Sequence, residues 1–344
     1  MGNSSSSRDH ILLDEHAADV AEPTATNVTP HLKIYTYAQL KRATGNFNPR
    51  NMLRENCLGR VYKGWVDEGT LAPSSKNGVG IPVAVRKSNP GQRLLQWQVE
   101  AEFLGRFSHP HIVKLLGYYR DDKQFLLVYE YMHKGSLENH LFRNGGAGHL
   151  SWKTRLKIAI GAAQGLVFLY TNKQVMYRSF QTAMILLDKD FNAKLSDFGR
   201  VKFQGHSRFS TDVGIDGDQI IADHPDLFYA PPEYVATGHY SHDVYSFGLV
   251  LLEMITGQRV FDRTRPSQQF NLANWAKPYL HKKDTLKIIM DPNLQGQYPI
   301  NAAFETSQLI LKCLEYSKTD RPSINDVLQA LERIIAINMA SQEQ

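Results

Sequence analysis

The sequence predicts an α+β chain of two lobes, a small β-rich one followed by a larger helical one. Three observations predict it. Short runs rich in β-branched and aromatic residues cluster before residue 132, at 61–65, 82–86 and 125–130. Beyond Gly135, apolar residues recur at helical spacing over 152–169, 245–256, 304–315 and 324–337. A length of 344 residues with 42% hydrophobic residues supplies a substantial core for one large domain or two small ones.

Residues 1–33 are polar and Ser-rich with little periodicity, and are expected to be disordered. They open on Met1-Gly2-Asn3-Ser4-Ser5-Ser6, which fits the M-G-x-x-x-[ST] pattern for N-myristoylation at Gly2. One acyl chain holds a membrane only marginally, and stable anchoring takes a second signal. No cysteine neighbours Gly2, and the flank sets Arg8 against Asp9, Asp14, Glu15, Asp19 and Glu22. The expected attachment to a membrane surface is therefore weak and reversible, or completed by a partner. The expected location is the cytoplasmic face of the plasma membrane, with a cytosolic fraction.

A domain is expected over 34–338, with lobes at 34–132 and 133–338 and a tail at 339–344. Residues 37–44 read as a short helix, Asn77-Gly78 marks a loop between the first two strand runs, and 94–107 reads as a helix between the second and third. Composition excludes other classes. Cys57 and Cys313 lie too far apart in a long chain to form a disulfide scaffold. No apolar run approaches the length of a membrane span. The net charge of +5 is not gathered into a Lys/Arg stripe interleaved with aromatics, so nucleic acid is not expected as a partner.

Six ordered motifs carry a resemblance. They are Val83-Ala84-Val85; Ser108-His109-Pro110-His111-Ile112-Val113-Lys114-Leu115-Leu116-Gly117-Tyr118; Leu127-Val128-Tyr129-Glu130-Tyr131-Met132; Lys194-Leu195-Ser196-Asp197-Phe198-Gly199; Pro232-Glu233-Tyr234; and Asp243-Val244-Tyr245-Ser246-Phe247-Gly248. In this order and spacing the chain from about Tyr35 to Ile337 resembles the protein kinase superfamily. It is most similar to plant receptor-like cytoplasmic kinases of subfamily VII. The resemblance implies the two-lobed protein-kinase fold.

Carried over position by position, the resemblance exposes departures. The catalytic loop pattern H-R-D-x-x-x-x-N supplies an Asp that accepts the substrate hydroxyl proton and an Asn that holds magnesium. Here Arg178 stays, Ser179 stands for the Asp, Gln181 for the following Lys and Met184 for the Asn. Tyr177 replaces the usual His, and Asp188 and Asp190 read as a turn. The glycine-rich loop, which lets backbone N–H groups approach phosphates, reads Arg54-Glu55-Asn56-Cys57-Leu58-Gly59 and keeps only its last glycine. Such a loop is expected to cover phosphates poorly.

The strand lysine is Arg86, whose planar fork is no substitute for a compact ammonium. Lys87 is expected on the opposite face of the strand. The helix partner is Glu100, and an Arg86–Glu100 pair preserves either phosphate contact or lobe architecture alone. Asp197 of the intact D-F-G run is either a magnesium contact or a cap beside packed Phe198. The activation segment contains Ser207, Ser210 and Thr211 as phosphorylation candidates, or forms an ordinary loop. Glu233 is expected to pair with Arg321. Val61, Ala84 and Leu186 match the adenine sandwich, with Glu130 and Met132 in the hinge.

These departures lead to the expectation of a catalytically impaired, non-enzymatic scaffold, adaptor or decoy in plant immune signalling. By resemblance its partners are other protein kinases, immune receptors or pathogen effectors. ATP is expected to bind weakly, with magnesium held through Asp197. The alternative is a serine/threonine protein kinase with residual ATP-dependent phosphate transfer. A third is a switch that binds ATP without turnover.

Overall fold

The computed structural model describes residues 32–56, 59–74, 78–88, 94–122, 124–142, 149–172, 175–178, 180–203, 225–237 and 243–340. Gly2, Ser179, Ser207, Ser210 and Thr211 lie outside the described residues, as do Cys57 and Leu58 of the glycine loop.

The first lobe is built on a six-stranded sheet with strand order β1-β5-β6-β4-β3-β2. Its strands are β1 (Lys33–Ile34), β2 (Met52–Asn56), β3 (Gly59–Val66), β4 (Ile81–Lys87), β5 (Leu115–Arg120) and β6 (Phe125–Glu130). β1 pairs parallel with β5, and the other pairings are antiparallel. Helix α1 (Tyr37–Ala43) covers one face, started by a capping box between Thr36 and Gln39. Alternation sorts the strands. Val83 and Val85 of β4, with Leu126 and Val128 of β6, pack with Leu40 and Tyr35 into a small core. The opposite face of β4 carries Ala84 and Arg86 toward helix α2 (Leu94–Arg106).

Helix α2 presents Trp97, Glu100, Phe103 and Leu104 at three- and four-residue spacing, all buried. Trp97 and Phe103 join a second core that runs through the rest of the molecule. This core is centred on α6 (Val244–Thr256), a helix buried along nearly its whole length, as its apolar sequence requires. Around it stand β7 (Gly135–Ser136), α3 (Leu137–Phe142), α4 (Trp152–Val167), β8 (Val175–Met176), β9 (Ile185–Leu187), β10 (Ala193–Leu195), β11 (Lys202–Phe203) and α5 (Pro232–Thr237). Shorter helices α7 (Leu272–Ala276) and α8 (Lys283–Leu286) precede α9 (Ile300–Cys313) and α10 (Ile324–Ala340). The fold is the two-lobed α+β kinase fold that the sequence predicts.

Three features aim the cleft between the lobes. β9 and β10 form a hairpin, with Asp188 accepting from the N–H groups of Asp190 (2.8 Å) and Asn192 (2.9 Å) as the expected turn. Gly59 opens β3 at φ +131°, where an added Cβ would collide with Lys87 O. That close approach accounts for the one loop glycine the chain retains. A register shift between Met52 and Arg54 bulges β2 and re-aims its side chains.

Candidate active site

The site lies between β2, β3, β4 and α2 above and the 175–199 segment below. Strand parity puts Arg86 on the cleft face of β4, and the apolar spacing of α2 turns Glu100 to meet it. The two form a buried ion pair, with side chains 7% and 1% exposed. Tyr129 Oη donates to the other Glu100 oxygen at 2.8 Å, and the Tyr129 ring lies 5.8 Å from the Arg86 guanidinium. Burial works against the Arg86 charge, but Glu100, then Tyr129 and Asp197, outweigh it and its pKa is raised. Lys87 points away, its Nζ donating to Tyr37 Oη at 3.0 Å.

Asp197 completes the cluster. Its Oδ1 is 3.9 Å from Arg86 Nη1, too far for a hydrogen bond, and is buried with no hydrogen-bond partner among the described residues. Its backbone is left-handed at φ +66°, a region asparagine and aspartate enter more readily than other non-glycine residues. Such strain, about 1–3 kcal/mol, tends to gather at functional sites. Phe198 fixes it from the next position, fully buried, stacked on Phe103 at 4.9 Å and packed on Tyr177 at 5.2 Å. Tyr177 is buried too, and its hydroxyl donates to Ser196 O.

Burial, and then Glu100, push the Asp197 carboxyl up to about 6, while Arg86, Arg200 and Arg54 pull it back. The folded protein therefore takes up a proton between the ordinary value of 3.8 and about 6. Stability is lost as pH rises through that window, and above it the buried charge is carried at a cost. Asp197→Asn, a neutral mimic, is expected to raise the denaturation midpoint at about pH 8, with the gain shrinking from about pH 7 towards pH 4. A gain independent of pH in urea titrations would show that the Asp197 charge is not the cause.

The catalytic-loop segment is held from behind. Asp243, at the start of α6, accepts from the backbone N–H groups of Tyr177 (3.0 Å) and Arg178 (2.8 Å) and from Tyr170 Oη (2.7 Å). Phe180 is buried and stacks on Phe247 of α6 at 5.0 Å. Position 179 is thus flanked by two anchored residues. Gln181 starts a turn over Thr182–Met184, whose three residues are buried. Met184 O accepts from the Ser196 N–H at 3.0 Å, tying this turn to the D-F-G run.

Val61, Ala84 and Leu186 stand half-buried on β3, β4 and β9. Glu130 ends β6, and its carboxylate accepts from Lys114 N (2.8 Å) and Lys194 Nζ (2.7 Å), which fixes the connection to buried Met132. Glu233 of α5 makes a two-pronged pair with Arg321, at 2.7 and 2.8 Å. The candidate phosphorylation sites Ser207, Ser210 and Thr211 fall outside the described residues. Sequence reasoning missed Tyr129 as the second partner of Glu100, although strand parity on β6 was the signal for it. It also missed Asp243 as the backbone anchor, and the path of the Arg54 side chain.

Whether these residues suit a magnesium nucleotide can be tested on Asp197. Magnesium commonly takes one or two carboxylates plus substrate phosphates and water. A buried carboxylate oxygen without a partner fits that demand, whereas the Met184 thioether is too soft to be a second ligand.

The model of the protein tyrosine and serine/threonine kinase family matches residues 50–331. Curated relatives agree. The probable serine/threonine-protein kinase PBL9 of Arabidopsis thaliana is 47% identical over 322 residues, 91% of this chain and 76% of that protein. The probable serine/threonine-protein kinase PBL2 of the same plant is 47% identical over 314 residues, 90% of this chain and 72% of that protein. Receptor-like cytoplasmic kinase 176 of Oryza sativa subsp. japonica is 45% identical over 316 residues, 88% of this chain and 76% of that protein.

These relatives correct the expectation of a non-enzymatic scaffold. Proteins this similar over nine-tenths of the chain are named as kinases, so the reading drawn from the glycine-rich loop, Arg86 and positions 179, 181 and 184 is overturned. The physical reason lies in what those positions leave untouched, the charged Arg86–Glu100–Asp197 cluster. The chain belongs to the protein tyrosine and serine/threonine kinase family, and is homologous to plant receptor-like cytoplasmic kinases.

Proposed function

We propose that this protein is a serine/threonine protein kinase with residual ATP-dependent phosphate transfer, slowed by its catalytic-loop residues. The observation that carries this reading is the buried cluster of Arg86, Glu100 and Asp197, in which an Asp197 oxygen lacks a hydrogen-bond partner among the described residues and belongs to the carboxylate that kinases use for magnesium.

Phosphoryl transfer asks little covalent chemistry of a protein, and its catalysis is mostly positioning and electrostatic stabilisation. Arg86, held by Glu100, presents a fixed positive charge to the nucleotide phosphates. Asp197 is the residue that would hold magnesium, which when bound neutralises charge developing on those phosphates. Asp243 and Phe180 fix the loop over which the acceptor hydroxyl must lie. Ser179 supplies no carboxylate to take the acceptor proton. A missing general base lowers the rate by about 10²–10⁴ without removing the rest of the site.

The test is transfer of radiolabelled γ-phosphate from ATP to the chain itself and to a generic serine/threonine substrate, beside Asp197→Ala. Transfer by the native chain that Asp197→Ala abolishes is the expected result. Transfer no greater than that of Asp197→Ala overturns the reading.

A further inference from the structure

Arg54 stands at the first of the positions that kinases fill with glycine. Its half-buried side chain leaves β2 at the bulge and crosses the cleft. Nη1 donates to Ala183 O at 3.0 Å and lies 3.7 Å from Met184 Sδ. The guanidinium therefore rests on the residue that replaces the family's second metal ligand. Its charge, with that of Arg200 and Arg86, is felt at Asp197.

Two substitutions coincide here. A hard oxygen ligand has become a thioether, which removes a place for magnesium. A glycine has become the side chain best shaped to bind phosphate, a planar fork that stays charged at any working pH. One change removes a cation and the other brings one to the same spot. Among the described residues, the hydrogen bonds of the Arg54 side chain run through Nη1, to a neutral carbonyl and a thioether. Charge-assisted bonds to phosphate oxygens are about twice as strong as bonds to neutral acceptors. A polyphosphate entering the cleft therefore displaces these contacts rather than being shut out by them.

We propose that Arg54 is the resident cation of the nucleotide site, taking the charge-neutralising place of the second magnesium and binding the polyphosphate of a nucleoside triphosphate directly. This rests on the nucleotide-binding part of the kinase reading and not on phosphate transfer.

The experiment is equilibrium binding of a fluorescent ATP analogue to the purified full chain, in magnesium and in EDTA, for native protein, Arg54→Ala and Arg54→Lys. Native protein is expected to keep binding in EDTA within about tenfold of its affinity in magnesium. Arg54→Ala is expected to lose about 10- to 100-fold in EDTA, the worth of a hydrogen bond to a charged group, and less in magnesium. Arg54→Lys, which keeps charge and loses the fork, falls between them. Unfolding midpoints of the variants establish that each is folded.

Unchanged or tighter binding by Arg54→Ala overturns the proposal and makes the side chain a plug. Absence of native binding in both conditions overturns it too. Transfer is read separately. Arg54-dependent binding without transfer sinks the kinase reading alone, and transfer with Arg54-independent binding sinks this inference alone.

Discussion

Ser179→Asp is expected to raise the rate of phosphate transfer by about 10²–10⁴, the usual worth of a positioned general base. The expectation depends on how the neighbours of position 179 are held. Arg178 is fixed by its N–H on Asp243, and Phe180 is locked in the core against Phe247. The chain on both sides of the substitution is therefore anchored. The rise should appear in kcat with KM for ATP nearly unchanged, because a group acting only in the transition state leaves ground-state binding alone. Adding Met184→Asn brings an oxygen ligand to the spot where Arg54 rests, so its effect should depend on the residue at 54. Single-turnover assays of Ser179→Asp, alone and with Met184→Asn in Arg54 and Arg54→Gly backgrounds, measure both. A Ser179→Asp rate equal to the native rate would mean that transfer does not pass through this loop position.

The parts of the site legible in the sequence were those set by short-range periodicity. The period of two in β4 places Arg86 opposite Val85 and on the cleft side, and the spacing of Trp97, Glu100 and Phe103 turns Glu100 inward. Their meeting follows from two local patterns. β2 and β5 were harder to see. β2 is the polar edge run Met-Leu-Arg-Glu-Asn, and β5 contains Gly117, where an added Cβ would strike Lys33 O of the neighbouring strand. Glycine weakens a strand pattern while serving a close backbone approach.

The reach of Arg54 was not legible at all. It depends on a bulge, which no propensity encodes, and on the spacing of two lobes joined far away in sequence. Asp243 raised a related difficulty. An aspartate before an apolar helix reads as a cap, yet its side chain makes no cap bond and instead serves backbone N–H groups at 177 and 178. The departures at 179, 181 and 184 were plain in the sequence. Their weight was not, because it depends on how much of the charged cluster remains assembled around them.

That cluster yields a large expected effect on stability. Glu100→Ala should lower the unfolding free energy by about 3–5 kcal/mol, because it strands the Arg86 guanidinium in the interior. The nearest remaining carboxylate, Asp197, is 3.9 Å away and does not hydrogen-bond to it. Tyr129 Oη loses its acceptor as well. The size of the loss does not measure the net worth of the ion pair, since desolvating two charges offsets much of their attraction. Arg86→Met with Glu100→Leu and Tyr129→Phe removes the stranded guanidinium and hydroxyl while filling similar volume, leaves the Asp197 carboxyl as the remaining acid of the cluster, and should therefore recover much of the lost stability. It should not recover nucleotide binding, because no positive charge remains on β4 to face the phosphates. Urea midpoints together with fluorescent ATP binding separate the two. Loss of less than about 1 kcal/mol in Glu100→Ala would place the pair in the solvent-screened range of surface salt bridges, contrary to its burial. Recovery of binding in the triple variant would mean that Arg86 is kept for the architecture of the lobe alone. A cluster that gives up little stability when made apolar, yet loses its ligand, is held in charged form for the nucleotide's sake.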